Sequence, residues 1–151
     1  MIGPRAQPTL IDASGIVSLL ADEPAAAIVE EVLRAGSAAI SAVNLGEVRD
    51  VLQRVRGHPG ESIDNRLFQL LEAGMEVLAV DSELGRLAGQ LRAEEYRRGI
   101  SEVSLADCIL VATALRLAGR AATSDAALAR MARARGVDVI ALPNSAGQLP
   151  S

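Results

Sequence analysis

The chain has 151 residues, half of them hydrophobic, enough to bury one sizeable core in a single domain spanning 1–151. With one Phe, one Tyr and no Trp it lacks platforms for stacking bases, and its one cysteine cannot close an intramolecular disulfide. Its 15 basic residues, all Arg, face 19 acids for a net charge of -4, which argues against holding a polyanion unless divalent cations offset the acids.

In chain order, residues 1–7 contain no apolar stretch of signal-peptide length and are expected to be a flexible end. Residues 8–12 read as a short apolar strand ending in Asp12, with no Arg between Arg5 and Arg34 to neutralise it. Helical patterns follow over 14–20 and 24–35, where Asp22, Glu23, Glu30 and Glu31 read as solvated faces or a helix start. A second strand covers 38–41, and a helix over 42–56 carries Glu47. If Ser41 caps that helix, Glu47 falls in the second turn, beyond the orphan backbone donors, so capping does not explain it.

The Gly-His-Pro-Gly loop at 57–60 leads to a helix over 62–73 and a strand over 75–80. Asp81 follows that strand and meets the same crude criterion as Asp12; it is assigned to capping the helix over 82–98, whose stripe is Leu84, Leu87, Ala88 and Leu91. The helix over 105–118 is apolar enough to be largely buried, and carries Asp107 at N3 after Ser104, close to a capping box. A strand over 120–123 runs into Asp125 and a helix over 126–135. A strand over 137–142 completes the pattern, and residues 144–151 are expected to be a second flexible end. Gly36, Gly74, Gly99, Gly119 and Gly136 each follow a helix, where a left-handed cap is expected.

Alternating strands and helices with apolar strands imply an α/β domain: a mostly parallel sheet of about five strands with helices on both faces. Ligands of such folds sit beyond the carboxyl ends of the strands, where Asp12, Glu47, Asp107 and Asp125 would converge. The plainer account is capping, respectable for Asp12 and Asp125 and strong for Asp107, yet an unpaired buried carboxylate costs on the order of several kcal/mol. An all-carboxylate cluster offers hard oxygens suited to Mg2+ or Mn2+, whereas zinc sites recruit His or Cys, for which only His58 and Cys108 exist. No segment approaches a membrane span, so the expected location is the cytoplasm.

Four blocks carry a resemblance: Leu-Ile-Asp12-Ala-Ser14, Ile-Ser-Ala-Val-Asn-Leu-Gly-Glu47-Val, Ser-Leu-Ala-Asp107-Cys-Ile-Leu and Thr123-Ser-Asp125-Ala-Ala-Leu. In that order and spacing, over almost the whole chain, they resemble PIN-domain nucleases, the VapC toxins above all. The resemblance implies Asp12, Glu47 and Asp107 as site acids, Asp125 as a more variable fourth, and Ser14 and Thr123 as accessory positions. It also implies RNA as substrate, a homodimer, and a cognate VapB-like antitoxin whose tail blocks the acidic mouth. Gly15 and Gly46 stand where the family has bulkier residues, a departure expected to loosen the elements carrying Asp12 and Glu47. Arg92, Arg97, Arg98, Arg130, Arg133 and Arg135 are candidates for meeting phosphate.

The alternative is a noncatalytic PIN-like domain that binds RNA or protein. A phosphoacceptor receiver ranks low without any Lys, and neither a dinucleotide fingerprint, a P-loop nor a serine-hydrolase elbow occurs.

Overall fold

The computed structural model describes residues 6–151, so residues 1–5 of the expected N-terminal flexible end lie outside the described residues. Five short strands form one sheet: β1 (Thr9–Ile11), β2 (Ala38–Ser41), β3 (Glu76–Leu78), β4 (Arg120–Thr123) and β5 (Val139–Ala141). Every pairing is parallel, in the order β3-β2-β1-β4-β5. The chain therefore builds outward from β1 to one edge and then returns to build the other. That reversal makes the carboxyl end of β1 the crevice position at which open parallel sheets usually hold their ligands.

The strands are nearly continuous apolar runs because both faces are covered. Successive residues alternate between two cores: Leu10, Ala39 and Ala121 pack on one face, Ile11, Ile40 and Ala122 on the other. Helices α1 (Ala13–Leu20), α2 (Ala26–Arg34), α3 (Ala42–Asp50) and α4 (Gly60–Glu72) supply Ile16, Val29, Val48 and Ile63 to the second core. Helices α5 (Ser82–Glu95), α6 (Leu105–Leu117) and α7 (Ala126–Ala134) supply Leu84, Leu110 and Leu128 to the first. Among the described residues, no helix is long and apolar enough to cross a membrane.

Several expected boundaries shift for identifiable reasons. The helix expected over 82–98 stops at Glu95, because Tyr96 turns extended and Arg97 pairs with Ser101 through backbone bonds in both directions, at 2.9 and 2.8 Å. The helix expected over 42–56 is α-helical only to Asp50, then widens into a π turn over Val51–Val55. Gly119 does not supply the left-handed cap of α6; Ala118 does, at φ 49. The glycine is needed for space instead, since a Cβ on residue 119 would stand 2.7 Å from the carbonyl oxygen of Pro8.

Gly15 corrects a second expectation. A Cβ there would meet Ile11 Cγ2 at 2.8 Å and Leu142 Cδ1 at 3.0 Å, so its absence lets α1 close onto the sheet rather than loosening it. Gly46, by contrast, faces nothing within 4 Å.

Candidate active site

Asp12 follows β1 directly, and its backbone N–H donates to Ala122 O of β4 at 2.9 Å. It occupies the N-cap position of α1 without using its side chain as a cap. The carboxylate instead turns into the crevice, 6 % exposed, where Thr123 Oγ1 donates to Oδ2 at 2.8 Å and Ser14 Oγ at 3.1 Å. Ser124 Oγ in turn donates to Ser14 Oγ at 3.1 Å. Thr123 Oγ1 also accepts the backbone N–H of Asp125 at 3.0 Å, which links the loop after β4 to the loop after β1. Such a chain of donors polarises toward the carboxylate at its end.

Two of the other acids arrive from helix starts and the third from a second turn. Asp125 caps α7, its Oδ1 accepting Leu128 N–H at 2.8 Å. Asp107 completes a capping box: its Oδ2 accepts Ser104 N–H at 2.7 Å, and its own N–H donates to Ser104 Oγ at 3.0 Å. Glu47 lies in the second turn of α3, where Asn44 Nδ2 donates to Oε2 at 3.1 Å. Each local donor therefore engages one oxygen of its carboxylate, and the second oxygen lies outside these bonds.

Asp12, Glu47 and Asp107 are all raised, and Asp125 acts on Asp107. Burial raises the pKa of Asp12, against the lowering effect of Thr123 and Ser14, and Glu47 raises it further. Burial likewise raises Glu47, opposed by the Asn44 amide and helped by Asp107. Asp107 is pushed up to about 6, by burial first and then by Asp12 and Asp125, against its bonds to Ser104. Among the described residues no Arg or His pairs with any of the four. Raised acids without a cationic side chain are what a site for an external cation would present.

As the side chains stand, no three or more His, Cys, Asp or Glu among the described residues are drawn together tightly enough to hold an ion. The donor chemistry fits Mg2+ or Mn2+, because the patch is all carboxylate and hydroxyl. Cys108 is buried in the first core with its Sγ 4.0 Å from Met131 Sδ, and His58 sits in the loop before α4.

Asp81, which shares the sequence signature of Asp12, has a different fate. It caps α5 through Leu84 N–H at 2.9 Å and takes the Arg116 guanidinium at 2.7 and 3.0 Å, which brings its carboxyl down to about 2. Sequence reading missed Asn44 and Ser124, whose polar spacing beside Glu47 and Asp125 was the available signal. Four of the six arginines expected to meet phosphate have structural partners, among them Arg130, which donates to Ser151 O at 3.1 Å. Arg92 bonds Val103 O and lies 4.7 Å over the Tyr96 ring, Arg97 bonds the carbonyls of Glu94 and Tyr96, and Arg135 pairs with Glu94 and Glu95.

The family model for the PIN domain matches residues 9–134, a span that contains all four acids. The chain belongs to the PIN domain family. Solved structures share its architecture. A DNA-bound VapBC from Salmonella typhimurium matches with a TM-score of 0.68 at 20 % identity, over 89 % of this chain and 98 % of the other. VapBC2 from Rickettsia felis, bound to a promoter DNA fragment, matches at 0.64 and 14 % identity, over 87 % and 96 %. Mycobacterium tuberculosis VapC20, a toxin that cleaves the sarcin-ricin loop, matches at 0.58 and 21 % identity, over 75 % and 86 %. At these identities the likeness shows the fold. Among curated sequences, no protein matches.

Proposed function

We propose that this PIN domain is a Mg2+- or Mn2+-dependent endoribonuclease, the toxin of a VapBC-type toxin–antitoxin pair. The carrying observation is the unneutralised patch formed by Asp12 and Asp125 after β1 and β4, Asp107 in the first turn of α6 and Glu47 in the second turn of α3. Asp12, Glu47 and Asp107 are the principal ligands in this reading, and Asp125 completes the set or orients water. A divalent ion held there supplies Lewis acidity at the phosphoryl oxygen and lowers the pKa of the attacking water. The protein's own contribution is orientation: Ser14 and Thr123 hold Asp12 through one oxygen, and Thr123 fixes the backbone before Asp125.

The VapBC complexes among the solved structures of this fold support a VapB-like antitoxin as partner, and the reading adds a homodimer acting in the cytoplasm. Co-expression with any small DNA-binding protein encoded beside it, followed by size-exclusion measurement of mass, tests the antitoxin and the homodimer. For the activity, Asp12→Asn should lose Mn2+ binding by calorimetry and RNA cleavage together. Full cleavage by that variant, or by wild type in excess chelator, overturns the mechanism. Wild type that binds RNA but never cuts it in saturating Mg2+ or Mn2+ would leave the noncatalytic PIN reading in its place.

A further inference from the structure

Glu47 is the one acid of the patch that reaches it from beyond the first turn of a helix, and it accepts a hydrogen bond from a fully buried amide. Asn44, on the preceding turn of α3, is 0 % exposed, and Ser41 at the end of β2 is 1 % exposed. The hydroxyl of Ser41 has a single proton. As N-cap it accepts Asn44 N–H at 3.0 Å, and it donates that proton to Asn44 Oδ1 at 2.6 Å. With Oδ1 committed as acceptor, Nδ2 is the end of the amide left to face Glu47, and it donates to Oε2 at 3.1 Å. Hydrogen-bond logic therefore sets the sense of this amide, which an apolar-face asparagine would not need.

We infer that Asn44, oriented by Ser41, is a positioning residue that holds Glu47 by one oxygen and leaves the other to ligate a divalent ion. The inference rests on the metal-dependent reading above. A neutral donor suits the task better than an arginine would, because a guanidinium at this point would compete with the ion for the carboxylate. It also eases the charge of Glu47, which burial and Asp107 otherwise disfavour. The arrangement matches the general pattern in which a ligating carboxylate is itself hydrogen-bonded by a fixed outer partner.

The test is calorimetric titration of Mn2+ into the full chain, comparing wild type with Asn44→Ala, Asn44→Leu and Ser41→Ala, alongside RNA cleavage as a function of Mn2+. Both Asn44 variants should bind Mn2+ about tenfold or more weakly. The Mn2+ concentration for half-maximal cleavage should rise by the same factor while the KM for RNA stays put. Ser41→Ala, which removes one oxygen, should shift affinity in the same direction by less, and it carries the test if the Asn44 variants do not fold. Wild-type Mn2+ affinity in folded variants overturns the inference. So does a loss of affinity that merely tracks the fraction of protein melted at the assay temperature. A wild-type chain that binds no Mn2+ sinks the nuclease reading itself, and this inference with it.

Discussion

Acidifying the metal-free protein from pH 7 to pH 5 is expected to stabilise it, the reverse of what paired carboxylates do. Asp107 leads the effect, because burial and its acidic neighbours lift its carboxyl from 3.8 to about 6. A group with a raised folded-state pKa binds its proton more tightly folded than unfolded. For Asp107 stability is therefore lost as pH rises from 3.8 through about 6 and regained on acidification through that window. Two-state linkage sets the gain between pH 7 and pH 5 at about 1.3 kcal/mol, reduced to about 1 kcal/mol because the crevice is partly open to solvent. In a chain of this size that corresponds to about 2–4 °C in Tm. Asp12 and Glu47 are raised as well and act with the same sign. The opposing ion pair, Arg116 with Asp81 at about 2, acts below this window. Calorimetric melting in chelator at closely spaced pH, wild type against Asp107→Asn, measures the difference, and the variant should show the flatter profile. Saturating Mn2+ should invert the wild-type slope, since protons and cation compete for the same oxygens. A metal-free wild type that loses Tm on acidification as steeply as Asp107→Asn refutes the reasoning.

Two glycines of the site elements should respond with opposite signs. Gly15→Ala drives a methyl against Ile11 and Leu142 and should cost about 1–3 kcal/mol in denaturant titration. Gly46→Ala meets open space within α3 and should add about 0.5–1 kcal/mol; like signs would contradict the packing described. Ala118→Gly relieves a left-handed alanine and should hold or raise stability, by up to about 1 kcal/mol, whereas Gly119→Ala should lower it. Cys108, buried with its thiol pushed up to about 11, should resist alkylation at neutral pH until the chain is denatured, as mass spectrometry would report.

Capping and site membership compete as explanations in the sequence, yet the structure combines them. Asp107 and Asp125 cap their helices with one oxygen and face the crevice electrostatically, so the local signal that argued for capping was correct and incomplete. Asp12 departs from both patterns, declining its helix to accept two hydroxyls. No local rule separates it from Asp81, whose partner Arg116 lies 35 residues away and becomes a neighbour only after folding. The sheet was legible because its strands are apolar on both faces. The early end of α5 and the π turn after α3 were not, because backbone pairing around Arg97–Ser101 and helix widening leave no periodic trace. Gly15 was misread because what it makes room for, Leu142, is contributed by the far end of the chain.

The return of the backbone across β1 also sets a timetable. A ribosome that has released the polypeptide only through α5 has made Asp12 and Glu47 but neither Asp107 nor Asp125, and the strand that supplies Thr123 to Asp12 is still missing. Each truncated product therefore carries an incomplete set of carboxylates. A site that needs all four acids would stay inert until most of the chain had emerged.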